Sequence, residues 1–146
     1  MTQEIEPVAI LLVDDSQVDV DLTLLAFSRI SFKKPVQVAR DGAETLEIIA
    51  RWRDGAPVPK LILLDIKLPK VSGLEVLKVL KSSKATMYIP VVMLTSSNND
   101  VDIRTAYEYG ANSYITKPVD FDKFIVLTTT LCDYWIGLNV RPEVLG

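Results

Sequence analysis

The chain has 146 residues, a net charge of −3 and 49% hydrophobic against 24% charged residues. That is the balance of a folded domain, and it excludes a disordered tail, a general nucleic-acid binder and a coat for anionic membranes. There is no histidine and a single cysteine, Cys132, which excludes Ser-His-Asp triads, histidine bases, ordinary zinc sites and an internal disulfide, and fits a reducing, cytoplasmic setting.

No apolar stretch reaches membrane-spanning length, and residues 1–7 are too acidic and polar for a signal peptide. The first apolar run, 8–13, predicts a strand. A helix follows over 17–30, with Val18, Leu22 and Leu25 at helical spacing. The second run is Val36–Ala39, and the helix after it, 43–53, places Leu46, Ile49 and Ala50 on one side. The third run is Leu61–Leu64. Its helix opens with Ser72-Gly73-Leu74-Glu75, a capping-box pattern, and continues through Leu77 and Leu80. The fourth run, 90–94, precedes a polar helix over 99–109 that carries Tyr107 and Tyr109 and ends at Gly110. The fifth, 112–115, precedes a helix over 121–136 with Asp120 as its N-cap.

Several of these runs are rich in branched residues and lack polar alternation, as expected of strands covered on both faces. The order is a βα unit repeated five times, so the expected fold class is α/β: a doubly wound, five-stranded parallel sheet with right-handed crossovers. One domain is expected across 1–146, with its core in 5–136 and a short extension over 137–146.

In such sheets ligands gather beyond the carboxyl ends of the strands. Asp14 and Asp15 end the first run, Asp65 the third, Thr95 and Ser96 the fourth, and Lys117 the fifth. Taken singly each has a plain explanation: a helix cap for Asp14 or Asp15, a turn for Asp65, loop chemistry for Thr95 and Ser96, a surface amine for Lys117, packing for Tyr114. Together they place three acids, a hydroxyl and an amine on one edge. Adjacent carboxylates repel one another unless a hard cation lies among them, and Mg²⁺ characteristically takes one or two carboxylates, waters and phosphate oxygens. With Lys117 available for another anionic oxygen, the set suits a phosphoryl group, and a carboxylate can itself be the nucleophile that forms an acyl phosphate.

These residues resemble the receiver domain of two-component response regulators, over about 5–136. The matching motifs are Asp14-Asp15, Asp65, Thr95 and Lys117-Pro118, with Tyr114 three residues before the lysine. The resemblance implies the strand order 2-1-3-4-5 of the flavodoxin-like receiver fold. It implies that Asp65 is the phosphoacceptor. Asp15, Asp65 and the Lys67 main-chain carbonyl would bind Mg²⁺, with Asp14 acting through water. Thr95 and Lys117 would each hold a phosphoryl oxygen, and small Ser96 would leave an approach to Asp65. The bond before Pro118 is often cis in such domains. Tyr114 would move inward as Thr95 shifts, remodelling the face of the fourth helix, fifth strand and fifth helix. The implied donor is a sensor histidine kinase or phosphotransfer protein, docking over the first helix and the Lys117-Pro118-Val119 loop and touching Val18 and Val119.

Little chain follows the last expected helix, so output is expected to pass through protein contact and not through a winged helix or catalytic domain. The ending LCDYWIGLNVRPE and the start ILLVDDSQVDVDLTLLAF resemble single-domain regulators that partner bacterial phytochromes. Tyr134 and Trp135 have two readings: ordinary core residues, or the homodimer contact that this subgroup implies. A receiver-like interaction module that is never phosphorylated is disfavoured by the intact acid, threonine and lysine set. An FMN protein is disfavoured because Asp14-Asp15 would repel its phosphate. An aspartyl-nucleophile phosphatase needs Asp-x-Asp, and Ser16 stands where its second acid belongs.

Overall fold

The computed structural model describes residues 7–118 and 120–142. The first residues of the expected core, Val119 of the expected docking loop and the end of the expected extension lie outside them. The elements are β1 (Ile10–Val13), α1 (Gln17–Arg29), β2 (Val36–Ala39), α2 (Gly42–Arg53), β3 (Leu61–Leu64), α3 (Gly73–Lys81), β4 (Val91–Thr95), α4 (Asp100–Glu108), β5 (Ser113–Thr116) and α5 (Phe121–Leu131), which runs on into a π-helical segment, Cys132–Leu138.

The strands form one parallel sheet in the order β2-β1-β3-β4-β5, as the resemblance implies. Successive strand side chains point to opposite faces, and the core divides accordingly. Leu11, Val13, Ile62, Leu64, Val91 and Met93 pack under α2, α3 and α4. Ile10, Leu12, Leu61, Leu63, Val92 and Leu94 pack under α1 and α5. Both faces are therefore covered, which is why β1, β3 and β4 show no polar alternation. The edge strands β2 and β5 are only partly buried.

Each helix starts on a side-chain cap. Ser16, Asp41, Ser72, Asn99 and Asp120 accept backbone N–H groups of α1 to α5 in turn. The cap of α1 is thus Ser16, and neither aspartate before it. At the end of α4, Gly110 takes φ +100°. Its N–H donates to Tyr107 O, and that of Ala111 to Ala106 O, the pattern of a Schellman stop.

Two helix faces differ from the spacing-based expectation. Val18, Leu22 and Leu25 share a side of α1, but that side faces outward. The buried side is Val20, Thr23, Ala26 and Phe27, set by the packing of α1 against α5. On α2, Ile49 is buried but Ala50 is exposed. The last helix also departs from expectation. Its α-helical register stops at Leu131 and the chain continues in the wider π register to Leu138, where Tyr134 and Trp135 meet edge to face at 4.8 Å.

At the sheet edge away from the strand carboxyl ends, Lys81 of α3 donates to Met87 O, Ile89 O and Asn112 Oδ1 at 3.0, 2.8 and 3.1 Å. The bonds tie α3 to β4 and β5, and burial pushes the amine down to about 8.

Candidate functional site

The sheet's order reverses between β1 and β3, and a crevice opens there at their carboxyl ends. Val13 and Leu64 are register partners, so the next residues, Asp14 and Asp65, emerge side by side. Backbone bonds hold both loops: Asp14 N–H donates to Ala39 O and Asp65 N–H to Val13 O, each at 3.0 Å. The loop after Asp65 is clamped from beyond. Gly73 N–H donates to Ile66 O at 2.8 Å, and a Cβ on Gly73 would lie 1.9 Å from Asp65 O. Only glycine lets α3 begin this close to the acid.

Asp14 and Asp65 are 2% and 6% exposed, whereas Asp15 is exposed. Asp14, Asp15 and Asp65 each offer an oxygen within 4.8 Å of the others. This all-oxygen set of hard donors fits a divalent cation of the Mg²⁺ or Mn²⁺ type. Ser16 N–H donates to Asp14 Oδ1 at 3.0 Å, and Lys67 N–H lies 3.4 Å from Asp65 Oδ1. The Lys67 side chain is exposed.

Lys117, just after β5, reaches across the sheet's carboxyl edge. Its Nζ donates to Asp14 Oδ2 at 2.7 Å, Asp65 Oδ2 at 2.9 Å and Asp19 Oδ2 at 2.9 Å. Sequence reasoning missed Asp19. In the first turn of α1 an acid reads as ordinary helix-dipole chemistry, and its only signal is its closeness to the Asp14-Asp15 pair.

Acids outnumber cations here, and the charges respond. Burial is the largest influence on the Asp14 carboxyl and pushes it above its ordinary 3.8, although hydrogen bonds from Lys117 and Ser16 pull the other way. For Lys117, burial is again the largest single influence and favours the neutral amine. The three carboxylates together outweigh it and hold the ammonium above its ordinary 10.5.

Thr95 ends β4 fully buried, paired in register with Thr116. Its Oγ1 lies 3.4 Å from Ser97 N. Ser96 is exposed beside it. Tyr114 in β5 is half-buried, and its hydroxyl donates to Ser97 O at 2.8 Å. The Lys117-Pro118 bond, whose isomer the sequence leaves open, is trans: among the described residues no peptide bond is cis, and trans is the isomer favoured even before proline. Lys117 reaches all three carboxylates in this form.

The sequence-predicted residues Asp14, Asp15, Asp65 and Lys117 thus meet in one cluster. Thr95, Ser96, Lys67, Tyr114 and Pro118 lie on the loops and strands around it. The arrangement can hold a cation and neutralise an anionic group next to a buried carboxylate.

Comparison with known proteins identifies the family of the fold. Residues 10–128 match the family model described as the response regulator receiver domain. The chain is 38% identical over 138 residues to the probable methanogenesis regulatory protein FilR2 of Methanothrix harundinacea, covering 94% of this chain and 89% of that one. It is 33% identical over 138 residues to response regulator Rcp1 of Synechocystis, covering 93% and 94%. The phosphorylated cyanobacterial phytochrome response regulator RcpA superposes with a TM-score of 0.84 at 33% identity, covering 92% and 98%. Rcp1 has also been crystallised in a Mn²⁺-bound form, which superposes with a TM-score of 0.82 at 32% identity, covering 94% of this chain and 100% of that one. By fold and by sequence, the chain belongs to the response regulator receiver domain family.

Proposed function

We propose that this protein is a regulatory phosphoacceptor whose acceptor is Asp65. The observation that carries the reading is the meeting of Asp14, Asp15 and Asp65 around one point, with Lys117 donating into the same cluster. No other arrangement among the described residues combines a buried carboxylate, further hard oxygen donors and a fixed ammonium.

Asp15, Asp65 and the Lys67 carbonyl would hold Mg²⁺, with Asp14 contributing through water. The cation, when bound, supplies charge neutralisation for the phosphoryl oxygens. An Asp65 carboxylate oxygen attacks phosphorus, the P–N bond of a phosphohistidine breaks, and its electron pair leaves with the imidazole nitrogen. The product is an acyl phosphate on Asp65. Lys117 and the Thr95 hydroxyl then each donate to a phosphoryl oxygen. Exposed Ser96 leaves the approach to Asp65 uncrowded. The exposed Lys67 ammonium is free to swing over the phosphoryl group and obstruct attacking water.

The signal is read as a two-state change. As Thr95 turns toward the phosphoryl group, Tyr114 leaves Ser97 O and moves inward, altering the face built from α4, β5 and α5. The donor is a cytoplasmic sensor histidine kinase or phosphotransfer protein that docks on the outward face of α1. Similarity to the phytochrome response regulator RcpA and to the bacteriophytochrome response regulators RtBRR and AtBRR supports a bacterial phytochrome as the upstream sensor. Trp135 packs against the core under α1 and α5, and exposed Tyr134 beside it supports a homodimer contact.

The test is incubation with acetyl phosphate and Mg²⁺ followed by intact mass. One phosphoryl group is expected on the wild-type chain, with none after chelation and none on Asp65→Asn. Undiminished labelling of Asp65→Asn would overturn the assignment.

A further inference from the structure

One carboxylate in the cluster has no part in the function proposed above. Asp19 Oδ2 accepts from Lys117 Nζ at 2.9 Å, and its side chain is 38% exposed where those of Asp14 and Asp65 are 3% and 8%. An ammonium carries three N–H bonds. Lys117 uses one on each of Asp14, Asp19 and Asp65, so none is left over for a phosphoryl oxygen. Once an Asp65 oxygen bonds to phosphorus, that group loses its carboxylate charge, and the negative charge lies on the phosphoryl oxygens beyond it. Of the three bonds, the one to Asp65 is then the weakest. Its N–H can turn outward while the other two stay made.

We propose that Asp19 is a positioning residue for phosphoryl transfer. With Asp14 it pins Lys117 Nζ at two points, so that the N–H released by Asp65 is the one that meets the phosphoryl group. It acts through Lys117 and does not touch phosphorus, and the proposal rests on the reading of Asp65 as the acceptor.

The hold is built into the fold at both ends. Asp19 N–H donates to the Ser16 hydroxyl that caps α1, at 3.3 Å, which fixes the backbone under the carboxylate, and an acid in the first helical turn is favoured by the helix dipole. At the other end the Lys117 side chain is 11% exposed. An ion pair between two exposed side chains contributes little; this one shares a buried ammonium with two buried carboxylates.

The test compares wild type, Asp19→Ala and Asp19→Asn. Labelling rates with acetyl phosphate and Mg²⁺ are read by intact mass, and the Lys117 ammonium resonance is read by ¹⁵N NMR in the unphosphorylated proteins. Asp19→Ala is expected to label about threefold to tenfold more slowly, the size of one charge-assisted hydrogen bond at a partly exposed acid, and to lose the ammonium resonance to water exchange. Asp19→Asn keeps an acceptor oxygen, so it should recover the rate to within about twofold and keep the resonance.

Labelling of Asp19→Ala as fast as wild type, or faster, would overturn the proposal, because the carboxylate would then be idle or merely repulsive. Asparagine as slow as alanine would overturn it too, since charge and not the hydrogen bond would be at work. A wild-type chain that takes no label would remove the Asp65 reading and this proposal with it. A labelled wild type with an unaffected alanine variant removes only the role of Asp19. Should Asp19→Ala fail to fold, Asp19→Ser decides by the same criteria.

Discussion

The Tyr114 hydroxyl donates to the Ser97 carbonyl at 2.8 Å, tying β5 to the loop that leaves Thr95. The aromatic ring is thereby held by the backbone segment that phosphorylation is proposed to move. Tyr114→Phe removes the tie and little else. It should label with a small phosphodonor at about the wild-type rate and lose about 0.5–1.5 kcal/mol of stability. Amide exchange at Ser96, Ser97 and Asn98 should quicken in the unphosphorylated variant. Unchanged exchange there would separate Tyr114 from the switch.

Gly73 sets how closely α3 approaches Asp65. A Cβ there would meet Asp65 O at 1.9 Å and Ile66 Cα at 2.8 Å, main-chain atoms with no flexible end to yield. Gly73→Ala should therefore destabilise the protein by about 1–3 kcal/mol in chemical unfolding. The displaced loop should also slow labelling of Asp65. A variant of wild-type stability and rate would show that the loop is softer than its contacts imply.

Asp14 gives a pH signature in metal-free solution. A carboxyl raised by burial binds its proton more tightly folded than unfolded. Its contribution to stability is thus fully present below the ordinary value of 3.8 and is lost as pH rises through the folded value. Asp14→Asn cannot titrate. Its stability relative to wild type should improve from acid to neutral pH, measured by urea unfolding in the presence of a chelator. A difference that stays flat across that range contradicts the burial argument.

Lys67 stands beside the acceptor with an exposed side chain. Lys67→Ala should shorten the acyl-phosphate lifetime by about twofold to fivefold, the size of an exposed charge interaction. An unchanged lifetime would leave Lys67 as a solvated lysine.

Val18 is 67% exposed at the start of α1, on the same face as Leu22 and Leu25. Val18→Asp should alter stability by no more than about 0.5 kcal/mol and leave labelling by acetyl phosphate unchanged. Phosphotransfer from a histidine kinase or phosphotransfer domain that labels the wild type should slow. Unimpaired transfer would move the docking surface elsewhere.

Much of the fold and of the site is legible in the sequence. Buried parallel strands are continuous apolar runs, so the residue that ends each run stands out, and Asp14, Asp65, Thr95 and Lys117 could be placed on one edge by counting. The helix faces were harder. α1 is apolar on two sides, and spacing alone favoured Val18, Leu22 and Leu25; contact with α5 selects Val20, Thr23, Ala26 and Phe27 instead. The π register after Leu131 has no sequence signature, because it changes backbone hydrogen bonding without changing which residues are apolar. Asp19 escaped notice because a first-turn acid is common and its partner lies 98 residues away. The isomer before Pro118 is a local preference that no motif decides.

The account stands on where the phosphoryl group goes. Treatment with acetyl phosphate and Mg²⁺, reduction of the acyl phosphate by borohydride and peptide sequencing would locate it. Homoserine at position 65 and at no other acid is the predicted result. Homoserine at position 14 or 15 instead, or none at all in protein that remains folded, would contradict it.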